Sequence, residues 1–226
     1  MRRLIQPLAG LLLSGFALLV PDAAALAQTS AQKIDLADRL TSKGLRAVNR
    51  DVTALPGDKP GVRVSEKEGP GVVWIEGNEF GLGTIELDVR GRDVPQASFV
   101  GIAFHRQDDN TYEGVYLRPF NFRNPDEARR QNAVQYIAVP DYDWPRLRKE
   151  FPSEFENPVD ASASPTDWVP LRVVVKAKTV EIYVGTGNTP ALEVRRLAAT
   201  NSGAIGLWVG NNSNGDFANL RVTPAK

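Results

Sequence analysis

Residues 84–90, Thr84-Ile85-Glu86-Leu87-Asp88-Val89-Arg90, alternate polar and apolar side chains without a fault. Successive side chains of an extended chain point to opposite faces, so Ile85, Leu87 and Val89 share one side while Thr84, Glu86, Asp88 and Arg90 share the other. That is the pattern of a half-buried strand. Working outward, the same period of two places strands at 71–76, 99–106, 112–118, 133–139, 171–176, 179–184, 204–209 and 217–222, separated by clusters of Gly, Pro, Asn and Asp. Helical patterns are confined to 36–45 and 125–131. Many short strands joined in sequence, with few helices, predict an all-β fold: an antiparallel two-sheet jelly-roll sandwich.

One segment breaks the rhythm. Residues 140–170 are dense in proline and carry Tyr142, Trp144, Phe151, Phe155 and Trp168 without sustained periodicity. Its aromatics must bury somewhere, which predicts an ordered excursion across one sheet, with Tyr142 or Trp144 at the rim of a cavity.

Composition removes whole classes of chemistry. The chain of 226 residues has 27 Lys and Arg against 27 Asp and Glu, so no broad cationic field draws in nucleic acid or an anionic membrane. It has no Cys and a single His, His105, which excludes disulfides, thiol nucleophiles, iron–sulfur clusters and His/Cys zinc sites. Arg2-Arg3, the apolar run 8–20 and Ala25-Leu26-Ala27 have the layout of a cleaved export signal over residues 1–27. The remaining residues, 28–226, read as one jelly-roll domain, periplasmic or extracellular and free of the membrane once the signal is removed.

Strand phase also suggests a site. In Val100-Gly101-Ile102-Ala103-Phe104-His105-Arg106 the large apolar residues share one face, which leaves Gly101, Ala103 and His105 on the other. By the same count Tyr112, Gly114, Tyr116 and Arg118 fall on that cleared face, as does Gln135 in the next strand. Small residues flanked by Tyr116, Arg118 and Gln135 describe a polar groove with an aromatic wall. Such a groove suits a sugar, whose hydroxyls take fork-shaped partners and whose C–H face takes an aromatic plane. His105 is the candidate acid or base, with Glu113, Glu86 or Asp88 as carboxylate partners. No cofactor is called for. Any metal would bind through oxygen, and Asp108-Asp109-Asn110 and the loop 211–216 leave room only for calcium.

Three stretches carry a resemblance: 98–104 (SFVGIAF), 112–122 (YEGVYLRPFNF), and 206–210 (GLWVG) with 215–220 (GDFANL). Together they resemble the concanavalin A-like lectin/glucanase superfamily, in particular laminin-G-like jelly rolls close to the 3-keto-disaccharide hydrolase domain group. The resemblance implies carbohydrate as the partner, held on the concave sheet. Glu86-Leu87-Asp88 is similar to the first half of the Glu-x-Asp-x-Glu strand of laminarinase-type glucanases, but Arg90 stands where the last acid belongs. Two readings remain open: a glycoside-processing hydrolase using His105, Glu113 or Glu86, and a non-catalytic module that binds carbohydrate or a protein on the same groove. Tyr116, Arg118, Gln135, Tyr142 and Trp144 are the binding candidates in either case.

Overall fold

The structure, a computed structural model, describes residues 30–57 and 59–225; the expected export signal lies outside the described residues. In chain order the strands are β1 (Gln32–Lys33), β2 (Leu45–Val48), β3 (Val52–Ala54), β4 (Gly61–Val64), β5 (Gly71–Phe80), β6 (Gly83–Arg90), β7 (Val100–Arg106) and β8 (Tyr112–Leu117). They continue as β9 (Val134–Val139), β10 (Glu156–Asn157), β11 (Val169–Val175), β12 (Thr179–Val184), β13 (Leu192–Arg195), β14 (Gly203–Val209) and β15 (Gly215–Pro224). Short helices α1 (Leu36–Thr41), α2 (Glu127–Arg130) and α3 (Trp144–Glu150) interrupt them.

The strands form two antiparallel sheets. The back sheet runs β13-β12-β11-β6-β15-β4-β3, with β1 beside β15, and the front sheet runs β10-β9-β8-β7-β14-β5-β2. This is the predicted jelly-roll sandwich. Residues of one phase interdigitate between the sheets: Ile85, Leu87 and Val89 from β6 meet Val100, Ile102 and Phe104 from β7 in one apolar core. Burial of this surface, at roughly 25 cal/mol per Å², is the main force that holds the sandwich closed.

The segment 140–170 is ordered. Asp143 accepts a hydrogen bond from the Arg146 backbone N–H and Pro145 occupies the first turn, which together start α3 without any long apolar repeat. Leu147 and Phe155 are buried, and Glu156–Asn157 adds an edge strand to β9. Trp168 lies at the back sheet instead, where the Lys59 ammonium and the Arg90 guanidinium sit over its ring.

One local break reverses an expectation. Between β7 and β14 the register slips: Ala204 pairs with Arg106 and Gly206 with Ala103, so Ile205 faces two residues, Phe104 and His105. This is a β-bulge on β7, and His105 takes a left-handed φ of +55°. A bulge shifts the side-chain phase by one residue. His105 therefore leaves the face of Gly101 and Ala103 and turns between the sheets.

Candidate functional site

The outer face of the front sheet carries a cavity of about 520 Å³. Its floor comes from alternate positions on adjacent strands. Tyr116 pairs across β8–β7 with Gly101, and Gly101 pairs across β7–β14 with Trp208, so all three share one face. The Tyr116 and Trp208 rings stack, with centroids 4.6 Å apart and planes inclined by 26°. The Trp208 indole N–H donates to the Tyr112 hydroxyl at 3.1 Å, which fixes a third aromatic in the floor. Phe99 and Phe120 stand edge to face at one wall, and Trp144, 48% exposed, forms the rim with Arg148 over its ring.

Glycine makes this floor, though not by leaving the sheet bare. A Cβ on Gly206 would lie 2.5 Å from the Trp74 ring, and one on Gly101 would lie 2.0 Å from the Val115 carbonyl oxygen. The cleared positions let the protein's own aromatics and neighbouring backbone close in, so the cavity surface is one layer higher than the glycines themselves. Beyond Trp208 the floor ends at Trp74, which is fully buried beneath the Arg106 guanidinium.

Arg118 lies deep at one end. Its Nη2 donates to the Gln135 side-chain oxygen at 2.6 Å and to the Tyr116 hydroxyl at 3.0 Å, and Nη1 donates to the Asn132 carbonyl at 2.9 Å. Burial lowers the Arg118 pKa and pushes the Tyr116 phenol up to about 12, so Tyr116 stays a neutral hydroxyl at any physiological pH. Next to Arg118, Glu156 accepts both arms of Arg148, at 2.8 and 2.7 Å.

The predicted binding residues divide. Tyr116, Arg118 and Trp144 line the cavity, and Gln135 stands behind Arg118 as its acceptor. Tyr142 bridges back to Ala138 and packs under Arg146, outside the lining. Sequence reasoning passed over Trp208, Arg148 and Phe99. The alternation Gly206-x-Trp208-x-Gly210 marked Trp208 as the one bulky residue on a cleared strand face, and this signal was available.

The proposed catalytic residues are not in the cavity, which corrects the face assigned to His105. His105 lies fully buried between the sheets, stacked on Phe80. Its Nε2 lies 2.8 Å from the Gly81 carbonyl. Its Nδ1 faces the Glu113 carboxylate at 2.8 Å. Glu113 is itself inaccessible: Arg196, from beyond β13 of the opposite sheet, reaches it at 2.5 and 3.2 Å, and the Tyr136 hydroxyl donates to it at 2.5 Å. Burial alone would raise the Glu113 pKa, but hydrogen bonds from His105, Arg196 and Tyr136 outweigh it and hold the carboxyl below its ordinary value. The cluster is an internal polar clasp between sheets. Glu86 projects from the outer face of the back sheet, opposite Arg172 and Arg221 on the neighbouring strands and far from the groove in topology.

The loops offered for calcium are occupied by protein partners. Asp108 accepts from Asn110 and Thr111, Asp109 bridges Arg46 and Arg106, and Asp216 pairs with Arg63 and Arg90. Among the described residues no cluster of three or more His, Cys, Asp or Glu is arranged to hold a metal ion.

No protein-family model matches the chain, and no curated protein matches it. Solved structures do. The carbohydrate-binding module CBM66 from Bacillus subtilis superposes with a TM-score of 0.57 at 13% identity, covering 80% of this chain and 96% of that one. A protein described as a native glycosidic hydrolase gives 0.53 at 10% identity, covering 88% and 97%. The carbohydrate recognition domain of Emp46p gives 0.55 at 10%, covering 85% and 96%. The fold is therefore the concanavalin A-like jelly roll that the sequence resemblance implied. At these identities the likeness speaks for the fold alone, and it is shared by proteins that bind sugar and by one that is named for cleaving it.

Proposed function

We propose that this protein is a carbohydrate-binding module that holds a sugar on the outer face of the front sheet and does not cleave it. The observation that carries this reading is the composition of the cavity: a stacked Tyr116–Trp208 floor, the Arg118 donor beside it, and Asp143 as the only carboxylate among the described lining residues. An aromatic plane beside fork-shaped donors is what a pyranose ring asks for. A retaining or inverting hydrolase needs two carboxyl groups flanking the bond, about 5 Å apart or about 6.5–9.5 Å apart. Asp143 already caps α3, and His105, Glu113 and Glu86 are turned elsewhere. The carbohydrate-binding and lectin-type proteins that share the fold support the same reading, as does the export signal expected over residues 1–27, because glycans are abundant outside the cytoplasm.

The exported protein should bind on a glycan array and release no sugar under product analysis. Trp144→Ala is the cleanest variant, since the ring is half exposed at the rim and its loss leaves the core intact. Affinity should fall by about 0.5–1.5 kcal/mol, roughly twofold to tenfold, with an unchanged melting temperature. Sugar release by the wild-type protein, or unaltered binding by Trp144→Ala, would overturn this assignment.

A further inference from the structure

The charge balance of the groove narrows the ligand. Three guanidiniums line the cavity, those of Arg118, Arg129 and Arg148, against the single lining carboxylate of Asp143. Glu156 sits behind them, but it is shared: Arg148 takes both of its oxygens, and Arg118 approaches no nearer than 3.5 Å. Every hydrogen bond that Arg118 makes to the described residues ends on a neutral oxygen, of Tyr116, Gln135 or Asn132. Its Nε–H makes no hydrogen bond to those residues, and beyond Asn132 its Nη1 has only the 3.5 Å ion pair with Glu156. A guanidinium taken almost entirely out of water, with only a 3.5 Å ion pair to a carboxylate that Arg148 already holds at both oxygens, is incompletely compensated and favours an anionic group that can reach it. Arg129 adds to the imbalance, because its pairing with Asp126 at 3.5 Å is between side chains more than half exposed and holds little of its charge.

We infer that the groove is built for an acidic saccharide, whose carboxylate or sulfate docks on Arg118 with Arg129 and Arg148 around it, while its ring lies on the Tyr116–Trp208 floor. A neutral sugar would satisfy the aromatic floor but leave the cationic end unmatched. Charge-assisted hydrogen bonds are roughly twice as strong as neutral ones, so the acid group would supply most of the selectivity. This inference rests on the carbohydrate-binding reading and names its ligand class.

The test uses polygalacturonate, alginate and hyaluronate, each beside its own carbodiimide-reduced neutral counterpart, with dextran sulfate beside dextran. Binding of the exported protein is measured by titration at low and high salt. The expected result is at least one acidic polymer bound ten times or more tightly than its neutral counterpart, with affinity falling as salt rises. Preference among the carboxylated polymers identifies a uronate, and preference for dextran sulfate identifies a sulfate ester. Arg118→Gln should abolish the preference for acid. Because that residue is buried, Arg129→Gln provides a surface variant that cannot unfold the domain, and it should reduce the preference severalfold with an unchanged melting temperature. Equal binding of acidic and neutral partners, or a preference that survives both substitutions, would overturn the inference and leave the carbohydrate-binding reading standing. Failure to bind any saccharide would overturn both.

Discussion

Replacing Glu113 by Gln separates an internal clasp from a catalytic carboxylate. Glu113 and Arg196 bury 100% and 97% of their side chains as a bidentate pair, with side-chain exposures of 0% and 3%. Gln keeps the shape and one acceptor but removes the charge, which leaves the Arg196 cation between the sheets without its carboxylate. Breaking one partner of a buried ion pair costs about 3–5 kcal/mol. For a domain of this size each kcal/mol moves the melting temperature by about 2–4 °C, so the expected fall is roughly 6–20 °C. Total stabilities of about 5–15 kcal/mol allow the variant to fold at room temperature. Thermal unfolding followed by circular dichroism, together with a saccharide titration at 20 °C, reads both quantities. The groove opens on the other face of the front sheet, so binding should be retained within about twofold, less than about 0.5 kcal/mol. The double variant Glu113→Leu/Arg196→Met should recover only part of the loss, because it removes the uncompensated charge but takes the acceptor away from the buried Tyr136 hydroxyl and His105. A melting temperature within about 2 °C of wild type, about 1 kcal/mol or less, combined with lost binding or turnover, would refute the placement of Glu113 between the sheets.

Acid should unfold the protein through the same kind of group. Glu113 and Asp216 both sit below their ordinary carboxylate range, Glu113 against the pull of burial through His105, Arg196 and Tyr136, and Asp216 against burial through Arg63 and Arg90. A depressed folded pKa contributes stability that is fully present above the unfolded value of about 4 and is lost as pH falls through the folded one, so the melting temperature should drop steeply below about pH 4. Glu113→Gln/Asp216→Asn should flatten that acid limb, and an unaltered limb would assign it to other carboxylates. Gly101→Val should also destabilise the fold, by about 1–3 kcal/mol or more, because its Cβ would sit 2.0 Å from the Val115 carbonyl and 2.6 Å from the Tyr116 Cα. The displaced Tyr116 should weaken saccharide binding in the same variant, and wild-type binding there would show that Tyr116 is not part of the floor.

Much of this architecture is legible in the chain. A period of two is a property of the extended backbone itself, so Thr84–Arg90 announces a half-buried strand wherever it packs, and the same count places Tyr116, Arg118 and Gln135 on one face before any sheet is drawn. Glycine and proline punctuation reveals the turns for the same local reason. Local rules also explain α3 after the fact, through the Asp143 cap and Pro145, although a helix of seven residues is too short to show a period of its own. The bulge at His105 is different in kind. Whether Ile205 faces one residue or two depends on how β14 aligns with β7, and these strands are separated by about a hundred residues of sequence. That alignment turns the only histidine from the expected groove face into the core, where it meets Glu113 of β8 and Arg196, which follows β13 of the opposite sheet. The glycines behave likewise: the sequence marks Gly101 and Gly206 as places of close approach, but only the assembled sheet shows that backbone and Trp74 fill them. Periodicity sets which residues share a face because it is built into each strand; which group finally occupies that face is set by long-range register, and register exists only once the strands have met.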